Sequence, residues 1–440
     1  RVIIATGHVW PGADKPENGL FASPWPISKL LPEEGKYHDF SIGTLGASLS
    51  AFDVIASIAH RHGEFVEDSG GLVFHPFPGT ENFIITMHSS HGLLPHLQFD
   101  QVEPLREIYR HIDREGLLAL VNADGFLRIE SYFDKVCRPA LTIAFGKDAL
   151  PSIVDLLADP QFGLIDFVVK MTDEHEYPDA FEGMRFEMVE AKKSVLQHRP
   201  IHWKEVLDDL IYTLNFHAEL MPAEDHLILR SHVMPFLLNV MAAMPLNSGN
   251  MILALYDAGK LGLIAGKVNI NEHSEQDGGT TITVEDDDKT STIDYSMFVD
   301  CSGQKALELD EYPFAGLVKD GSARRARARF CEPELSIKNL LAEKRQHLFH
   351  DEKGSYYHTG GLDIDAAYRL IDIHGKANSR IYDISFPHAS GVRPYSYGLQ
   401  ACSDTSAILV QVMINELKAG VQLSGDVETI AEIYEVLPAN

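Results

Sequence analysis

The chain has few cysteines. Its four thiols, Cys137, Cys301, Cys331 and Cys402, are scattered, and no two of them have the Cys-x-x-Cys spacing. This arrangement predicts neither a disulfide framework nor a zinc site, and it excludes a redox pair of adjacent thiols. Because disulfides belong to oxidising compartments, so few and so isolated cysteines predict a cytoplasmic protein.

Long apolar runs and basic residues are also scarce. No run of about eighteen apolar residues occurs, so the sequence predicts no transmembrane helix. The 37 basic and 64 acidic residues give a net charge of -27, which argues against nucleic-acid and membrane partners because both need a positive surface. Four arginines cluster at 324–329. They form either a solvated helix face or internal ion pairs, or else they grip a cofactor phosphate or an anionic substrate.

The chain begins at Arg1, and no secretory signal precedes its first strand, so we expect a missing segment before it. Its 440 residues predict two or three domains. Residues 37–99 and 246–303 alternate strand and helix patterns, and strands are expected at 261–268, 280–284 and 292–299. The helical period dominates from 100 to 245, including 105–112 and 203–210. Residues 1–36 predict a strand end and a connector.

A strand, a glycine turn and a helix follow one another from residue 37 to residue 63. Gly46 allows a sharp turn, Ser48 and Ser50 are small donors near the helix start, and Ala51 allows close packing of helix on strand. The N-terminus of such a helix binds phosphate through free N–H groups and its dipole. The pattern matches G-x-S-x-x-A only, so an ordinary turn with a serine cap is the alternative.

Two further predicted strands also end in a loop that contains a glycine. Thr6, Gly7 and His8 follow the first strand, and Ser302 and Gly303 follow the strand that ends near residue 300. The second parallel strand is expected at 83–87, and Ser89 lies in the loop after it. No carboxylate is present in that loop to hold the ribose of NAD, which favours NADPH slightly, although no arginine is present either.

Several stretches resemble a known family in their order along the chain. Residues 2–11 resemble the segment that closes the FAD domain in the FAD-NAD(P)-binding flavoprotein family, which is similar to N-hydroxylating monooxygenases. Residues 46–53 resemble that family's second nucleotide turn, and 91–95 and 259–266 resemble later landmarks. Tyr397, Gly398 and Leu399 resemble the start of the C-terminal helix that returns to the flavin. The family's first G-x-G-x-x-G fingerprint is absent.

The resemblance implies a glutathione-reductase-like α/β fold with two dinucleotide-binding, Rossmann-like domains and FAD and NADPH or NADH as cofactors. On this basis 1–36 ends the FAD domain, 37–99 and 246–303 form the NAD(P) domain, 100–245 is a helical insertion, and 304–440 returns to the FAD domain. The first FAD βαβ unit is absent from the chain, so a partner chain or a second copy is one way to supply it. The remaining partner expected is a small-molecule substrate.

The function predicted is an FAD-dependent oxidoreductase that uses NAD(P)H, either a reductase or a monooxygenase. The alternative is a non-catalytic nucleotide-binding or scaffold protein that has lost flavin. The 21 histidines show no metal motif such as HExxH, so no metal site is predicted. No G-x-S-x-G elbow supports a hydrolase. No side chain is assigned as a catalytic acid or base.

Overall fold

The structure is a computed structural model that describes residues 1–7, 10, 12–241, 243–271, 278–286, 289–303, 306–338, 340, 342–396 and 398–436. Its strands are β1 (Val2–Ile4), β2 (Leu20–Phe21), β3 (Ser41–Leu45), β4 (Gly63–Asp68), β5 (Gly71–Pro76), β6 (Ile84–Ser89), β7 (Leu261–Ala265), β8 (Lys267–Ile270), β9 (Thr280–Asp286), β10 (Lys289–Tyr295), β11 (Met297–Asp300), β12 (Arg325–Arg329), β13 (Leu348–Asp351), β14 (Gly354–Leu362), β15 (Arg369–Ile371) and β16 (Ala377–Asp383).

The α-helices are α1 (Leu49–His62), α2 (Arg114–Leu118), α3 (Ile129–Tyr132), α4 (Arg138–Lys147), α5 (Pro151–Leu157), α6 (Leu164–His175), α7 (Ala180–Gln197), α8 (His202–Asn215), α9 (Ala223–Ile228), α10 (Met234–Val240), α11 (Leu246–Asp257), α12 (Ala315–Lys319), α13 (Pro333–Lys338), α14 (Phe386–Ala389), α15 (Leu399–Ala419) and α16 (Val427–Tyr434). Short 3-10 helices span Pro16–Asn18, Ile27–Leu30, Ala218–Leu220, Leu309–Glu311 and Ala342–His347, and π-helical turns span Phe133–Cys137 and Leu229–Val233.

Five parallel strands form the central sheet, in the order β2-β11-β3-β6-β7. β3 pairs with β6 on one side and with β11 on the other. From β3 the chain moves first to β6 and β7, and only later crosses to β11. The strand order therefore reverses at β3, and ligands of open α/β sheets bind outside the carboxyl ends of the strands at such a point.

Different layers cover the two faces of this sheet. Helices α1, α7 and α11 pack on one face, where α1 buries Phe52, Ile55 and Ala59. The antiparallel strands β8, β9 and β10 cover the other face, where Tyr295 and Phe298 share one apolar cluster. Because both faces are covered, a ligand reaches the sheet only at the ends of its strands.

Helices α2 to α6 and α8 to α10 pack around a second apolar core. That core encloses a cavity of about 40 Å³, and both π-helical turns contribute to its wall through Phe133, Cys137 and Val233. The wall is apolar, and the Tyr132 hydroxyl donates to the Leu210 carbonyl at 2.8 Å.

The C-terminal part contains two small sheets. β1 pairs in parallel with β16, which pairs antiparallel with β15, and β12-β14-β13 form an antiparallel sheet. The arginine cluster lies on β12. Arg324 pairs with Asp363 at 2.6 Å, Arg325 pairs with Glu308, and Arg327 pairs with Asp351 at 3.3 Å. The ion-pair prediction therefore holds for these three arginines, whereas Arg329 donates to the Asp124 carbonyl at 2.9 Å. The helix-face prediction is wrong, because residues 325–329 form a strand.

Helix α15 has two apolar faces. The inner face, with Ala401, Ile408 and Val412, packs into the C-terminal core. The outer face carries Val410, Ile414 and Leu417, which are exposed and lie on one side because they are four and three residues apart. Arg1 pairs with Glu416 at 2.7 Å, and Glu416 lies on the buried side of the helix.

β1 is an edge strand in the described part of the chain, and its side chains Val2 and Ile3 are 55% and 47% exposed. We call Val410, Ile414 and Leu417 together the outer apolar surface.

Several predicted elements need correction. Residues 105–112 are not helical. The strand expected at 261–268 is two strands, β7 and β8, that separate at Gly266, and the strand expected at 292–299 separates at Ser296 into β10 and β11. Each break moves the chain from the central sheet to the covering meander or back.

The central sheet is the parallel α/β sheet that the sequence predicts. A second Rossmann-like domain is not confirmed: among the described residues β1, β16 and β15 form a three-stranded sheet in which β15 is antiparallel. The boundaries of the predicted domains stay predictions. Among the described residues, no helix has both the length and the apolar character needed to cross a bilayer.

Candidate functional site

A cleft of about 890 Å³ lies at the carboxyl edge of the central sheet. The loops after β3, β6 and β11 form one wall, through residues 47–50, 89–91 and 301–303. Helices α6 and α10 and the π-helical turn at Leu229–Val233 form the opposite wall, and Phe386 and Pro394 close one end. The cleft therefore lies between the sheet and the helical region, at the point where the strand order reverses.

Gly46 is required by the close contact of two of these loops. Its φ is +105°, and a Cβ atom there would lie 2.8 Å from the Cys301 carbonyl oxygen. Its N–H donates to the His88 carbonyl at 2.7 Å, and the Cys301 N–H donates to the Leu45 carbonyl at 2.8 Å. These bonds tie the ends of β3, β6 and β11 into one fixed edge.

Helix α1 presents an open N-terminus to the cleft. Ser48 is its N-cap residue, and the Ser48 side chain makes no capping hydrogen bond. Ser48 and Ser50 line the cleft, whereas Ala51 is fully buried beneath it. The first N–H groups of the helix are therefore free to bind an anion, with the helix dipole adding to the attraction.

The other two loops supply hydroxyl groups. Ser89 lines the cleft, and its Oγ is buried without a hydrogen-bond partner in the part of the chain that the structure describes. Buried hydroxyls are normally paired, so this atom marks a place where a ligand group would fit. The Ser302 hydroxyl donates to Asp300 at 2.6 Å, which fixes the loop that leads to Gly303.

Two ionisable groups under the cleft, the Cys301 thiol and the His88 imidazole, are uncharged at neutral pH. Burial raises the pKa of the Cys301 thiol, so that this thiol is not a nucleophile at neutral pH. Burial lowers the pKa of His88 to about 4, and its Nε2 bonds to the Tyr295 hydroxyl at 2.8 Å. Burial also raises the pKa of Asp53 on α1.

The opposite wall carries polar residues that the sequence reasoning did not select. Asp173 and Glu176 come from the end of α6, and Ser231 and His232 come from the second π-helical turn. No signal in the sequence placed Ser231 and His232 opposite the glycine turn. Asp173 and Glu176 have no local motif at all, because only the tertiary fold brings α6 to the cleft.

The residues predicted to touch flavin do not all join this cleft. The Thr6 N–H donates to the Ser385 Oγ at 3.0 Å, next to Phe386 at the end of the cleft, and Gly7 has a φ of +71° with open space around it. Gly398 and Leu399 line a separate groove with Arg106 and Asp208. His8 and Tyr397 lie outside the described residues.

One family model matches the helical part of the chain. Residues 117–241 match the model of the YdhS-like middle domain, and this range contains most of the helical region. The uncharacterised protein YdhS of Escherichia coli (strain K12) is 28% identical over 320 residues, which are 72% of this chain and 56% of that protein. The chain thus spans about half the length of this curated relative.

Two solved structures have a similar arrangement at low TM-scores. The ornithine N-hydroxylase KtzI of Kutzneria sp. 744, solved with reduced FAD, NADP+ and L-ornithine, has a TM-score of 0.36 at 11% identity, over 94% of this chain and 63% of that one. The ornithine hydroxylase PvdA of Pseudomonas aeruginosa has a TM-score of 0.29 at 10% identity, over 85% and 53%. Scores this low do not establish a shared fold.

Proposed function

We propose that the chain binds a nicotinamide dinucleotide in the cleft and works as part of an FAD-dependent oxidoreductase, either a reductase or a monooxygenase. One observation carries the proposal. The glycine turn, the open N-terminus of α1 and the loop at 301–303 meet where the strand order of a parallel sheet reverses. Dinucleotides bind parallel sheets at such a place.

The residues present fit a dinucleotide. The pyrophosphate would lie on the N–H groups at the start of α1, because Ser48 leaves them uncapped. Gly46 and Ala47 keep side chains away from that position. The Ser89 hydroxyl would donate a hydrogen bond to a sugar or phosphate oxygen of the ligand. A cleft of about 890 Å³ is large enough for a ligand of this size.

The described residues fit FAD only in part. Thr6 and Gly7 follow β1 as such a site needs, but no glycine turn followed by a helix is described beside β1. β1 has a free edge in the described part of the chain, and its side chains Val2 and Ile3 are exposed. We therefore propose that a further strand and helix unit, from this polypeptide or from a second one, pairs with that edge and completes the flavin site.

The variant Ser48→Asp tests the nucleotide site. Aspartate is a favoured N-cap residue, so α1 should keep or gain stability, yet its carboxylate would occupy the phosphate position and repel the ligand. We expect at least tenfold weaker binding of NADH and NADPH by isothermal titration calorimetry, with an unchanged or higher Tm. Ser152→Asp makes the same change in the first turn of α5, outside the cleft, and should leave the affinity unchanged. Equal affinity in the wild type and Ser48→Asp would refute the site.

The incomplete flavin site favours a second candidate, a nucleotide-binding protein without flavin. An absorbance spectrum of the purified protein separates the two functions. Flavin bands that disappear when NADH or NADPH is added under argon support the oxidoreductase. The alternative is supported if the protein binds nucleotide but is colourless and takes up no added FAD. The same result is required of a polypeptide as long as its relatives.

A further inference from the structure

We infer that the cleft selects NADH over NADPH, because carboxylates of α6 occupy the place of the adenosine ribose. The inference rests on the proposed nucleotide binding and names its ligand more narrowly. It differs from the sequence-based preference for NADPH, which considered only the loop directly after β6. The residues that decide the selection, Asp173 and Glu176, lie more than eighty residues away along the chain.

The end of α6 is held against the segment that leaves β6. The rings of His96 and His175 lie 5.1 Å apart, and His175, Leu93 and Pro95 line one small cavity. Asp173 and Glu176 flank His175 and line the cleft together with Leu93 and Pro95. The two carboxylates therefore line the same cleft as Ser89 and Ser90, at the end of the second strand of the glycine-turn unit.

In dinucleotide-binding sheets the adenosine ribose lies at the end of that second strand. NAD-binding sites place a carboxylate there, which accepts hydrogen bonds from the ribose hydroxyls. The loop of this chain offers Ser89, Ser90 and His91 instead. The helical region thus supplies from across the cleft the acidic group that the strand itself lacks.

The charge of this wall opposes a 2′-phosphate. Among the described residues that line the cleft there is neither a lysine nor an arginine, and the basic side chains there are His91 and His232. Lys170, the lysine of α6, pairs with Glu174 at 2.9 Å. Neither Asp173 nor Glu176 forms an ion pair within the described residues. The phosphate of NADPH would meet two like charges with no cation to offset them, whereas NADH adds no charge at the ribose.

The test compares dissociation constants of NADH and NADPH for the full chain, measured by isothermal titration calorimetry. We expect NADH to bind at least tenfold more tightly at low ionic strength, with a smaller ratio at high salt because screening weakens the repulsion. The double variant Asp173→Asn/Glu176→Gln should bind NADPH more tightly and NADH more weakly, so that the ratio falls at least fivefold. Glu174→Gln removes one charge from the same helix outside the cleft and should keep the wild-type ratio.

The outcomes separate this inference from the proposed function. If neither dinucleotide binds, both are wrong. If NADPH binds as tightly as NADH or more tightly, nucleotide binding stands and the selection is wrong. If the double variant has the wild-type circular dichroism spectrum and an unchanged ratio, the assignment of Asp173 and Glu176 is wrong. If the double variant does not fold, the single variants Asp173→Asn and Glu176→Gln are measured in its place.

Discussion

Gly46 shows how one residue fixes the edge of the cleft. Two features exclude a larger residue at this position. The φ is positive, and a Cβ atom would lie 2.8 Å from the Cys301 carbonyl oxygen. Gly303 also has a positive φ, of +86°, but a Cβ there would meet nothing within 4 Å. The two glycines therefore separate the cost of backbone strain from the cost of a steric clash.

We expect Gly46→Ala to lower the free energy of unfolding by at least about 3 kcal/mol, because strain and clash add. Gly303→Ala carries strain alone and should cost about 1 kcal/mol. Urea denaturation followed by circular dichroism measures both values. Equal losses for the two variants would show that the loops after β3 and β11 can move apart at little cost.

At the same scale, the sequence predicted the residues of the glycine turn but not those opposite. Gly46, Ser48, Ser89 and Ser302 could be selected because each follows a strand of recognisable pattern. Asp173 and Glu176 could not, since they end a helix whose sequence gives no sign of its partner. For a site between two regions, the local sequence predicts the residues that follow the strands but not the residues that the tertiary fold brings opposite them.

Among the elements, the segment 105–112 shows why a helical period can mislead. Its apolar residues repeat as in a helix, but the backbone is held by side chains of other elements instead. The Arg106 N–H donates to the Gln400 Oε1 at 3.0 Å, and the Thr213 hydroxyl donates to the Ile108 carbonyl at 2.7 Å. By contrast, β3, α1, β6 and α15 were predicted correctly because their own patterns agree with their tertiary surroundings.

Helix α15 carries a testable consequence of its two faces. Leu417 is 76% exposed and belongs to the outer apolar surface, so Leu417→Gln should change the Tm by less than about 1 °C. The same change should weaken self-association of the chain, because exposed apolar patches drive association. Sedimentation velocity over a range of concentrations measures this effect.

Ile408→Gln is the matched control on the inner face of the same helix. Ile408 is fully buried, and a buried amide without partners should lower the free energy of unfolding by roughly 3 kcal/mol or more. If Leu417→Gln destabilises the chain as much as Ile408→Gln does, the outer face is packed in solution and the assignment of the outer apolar surface is wrong.

For the whole molecule, buried histidines set the response to acid. Burial lowers the pKa of His88, His175, His217 and His358 to about 4 and that of His226 to about 3, from an ordinary value of 6.5. The unfolded chain thus takes up protons on these groups at a pH at which the folded chain does not. Their contribution to stability is complete above pH 6.5 and is lost as the pH falls toward 4.

We expect the Tm to fall steadily between pH 7 and pH 4.5, with each such histidine contributing up to about 1.4 kcal/mol per pH unit. Six carboxyl groups act in the opposite direction, because burial raises the pKa of Asp363 to about 6 and also raises the pKa of Asp53, Glu130, Asp208, Asp225 and Asp365. Eight histidines have a lowered pKa, so the histidines outnumber them. Differential scanning calorimetry at a series of pH values measures the slope, and His88→Gln should reduce it. A Tm that is flat or rises toward pH 4.5 would contradict the prediction.

The order of strands in the central sheet also bears on how the chain is made. β11 lies between β2 and β3, yet it leaves the ribosome only after residue 297 has been added, long after residue 45. At cellular elongation rates this delay lasts roughly 10 to 50 s. During that time β3 has an open edge while the helical region can already fold. The newly made N-terminal strands are therefore the part of the chain most in need of chaperone protection.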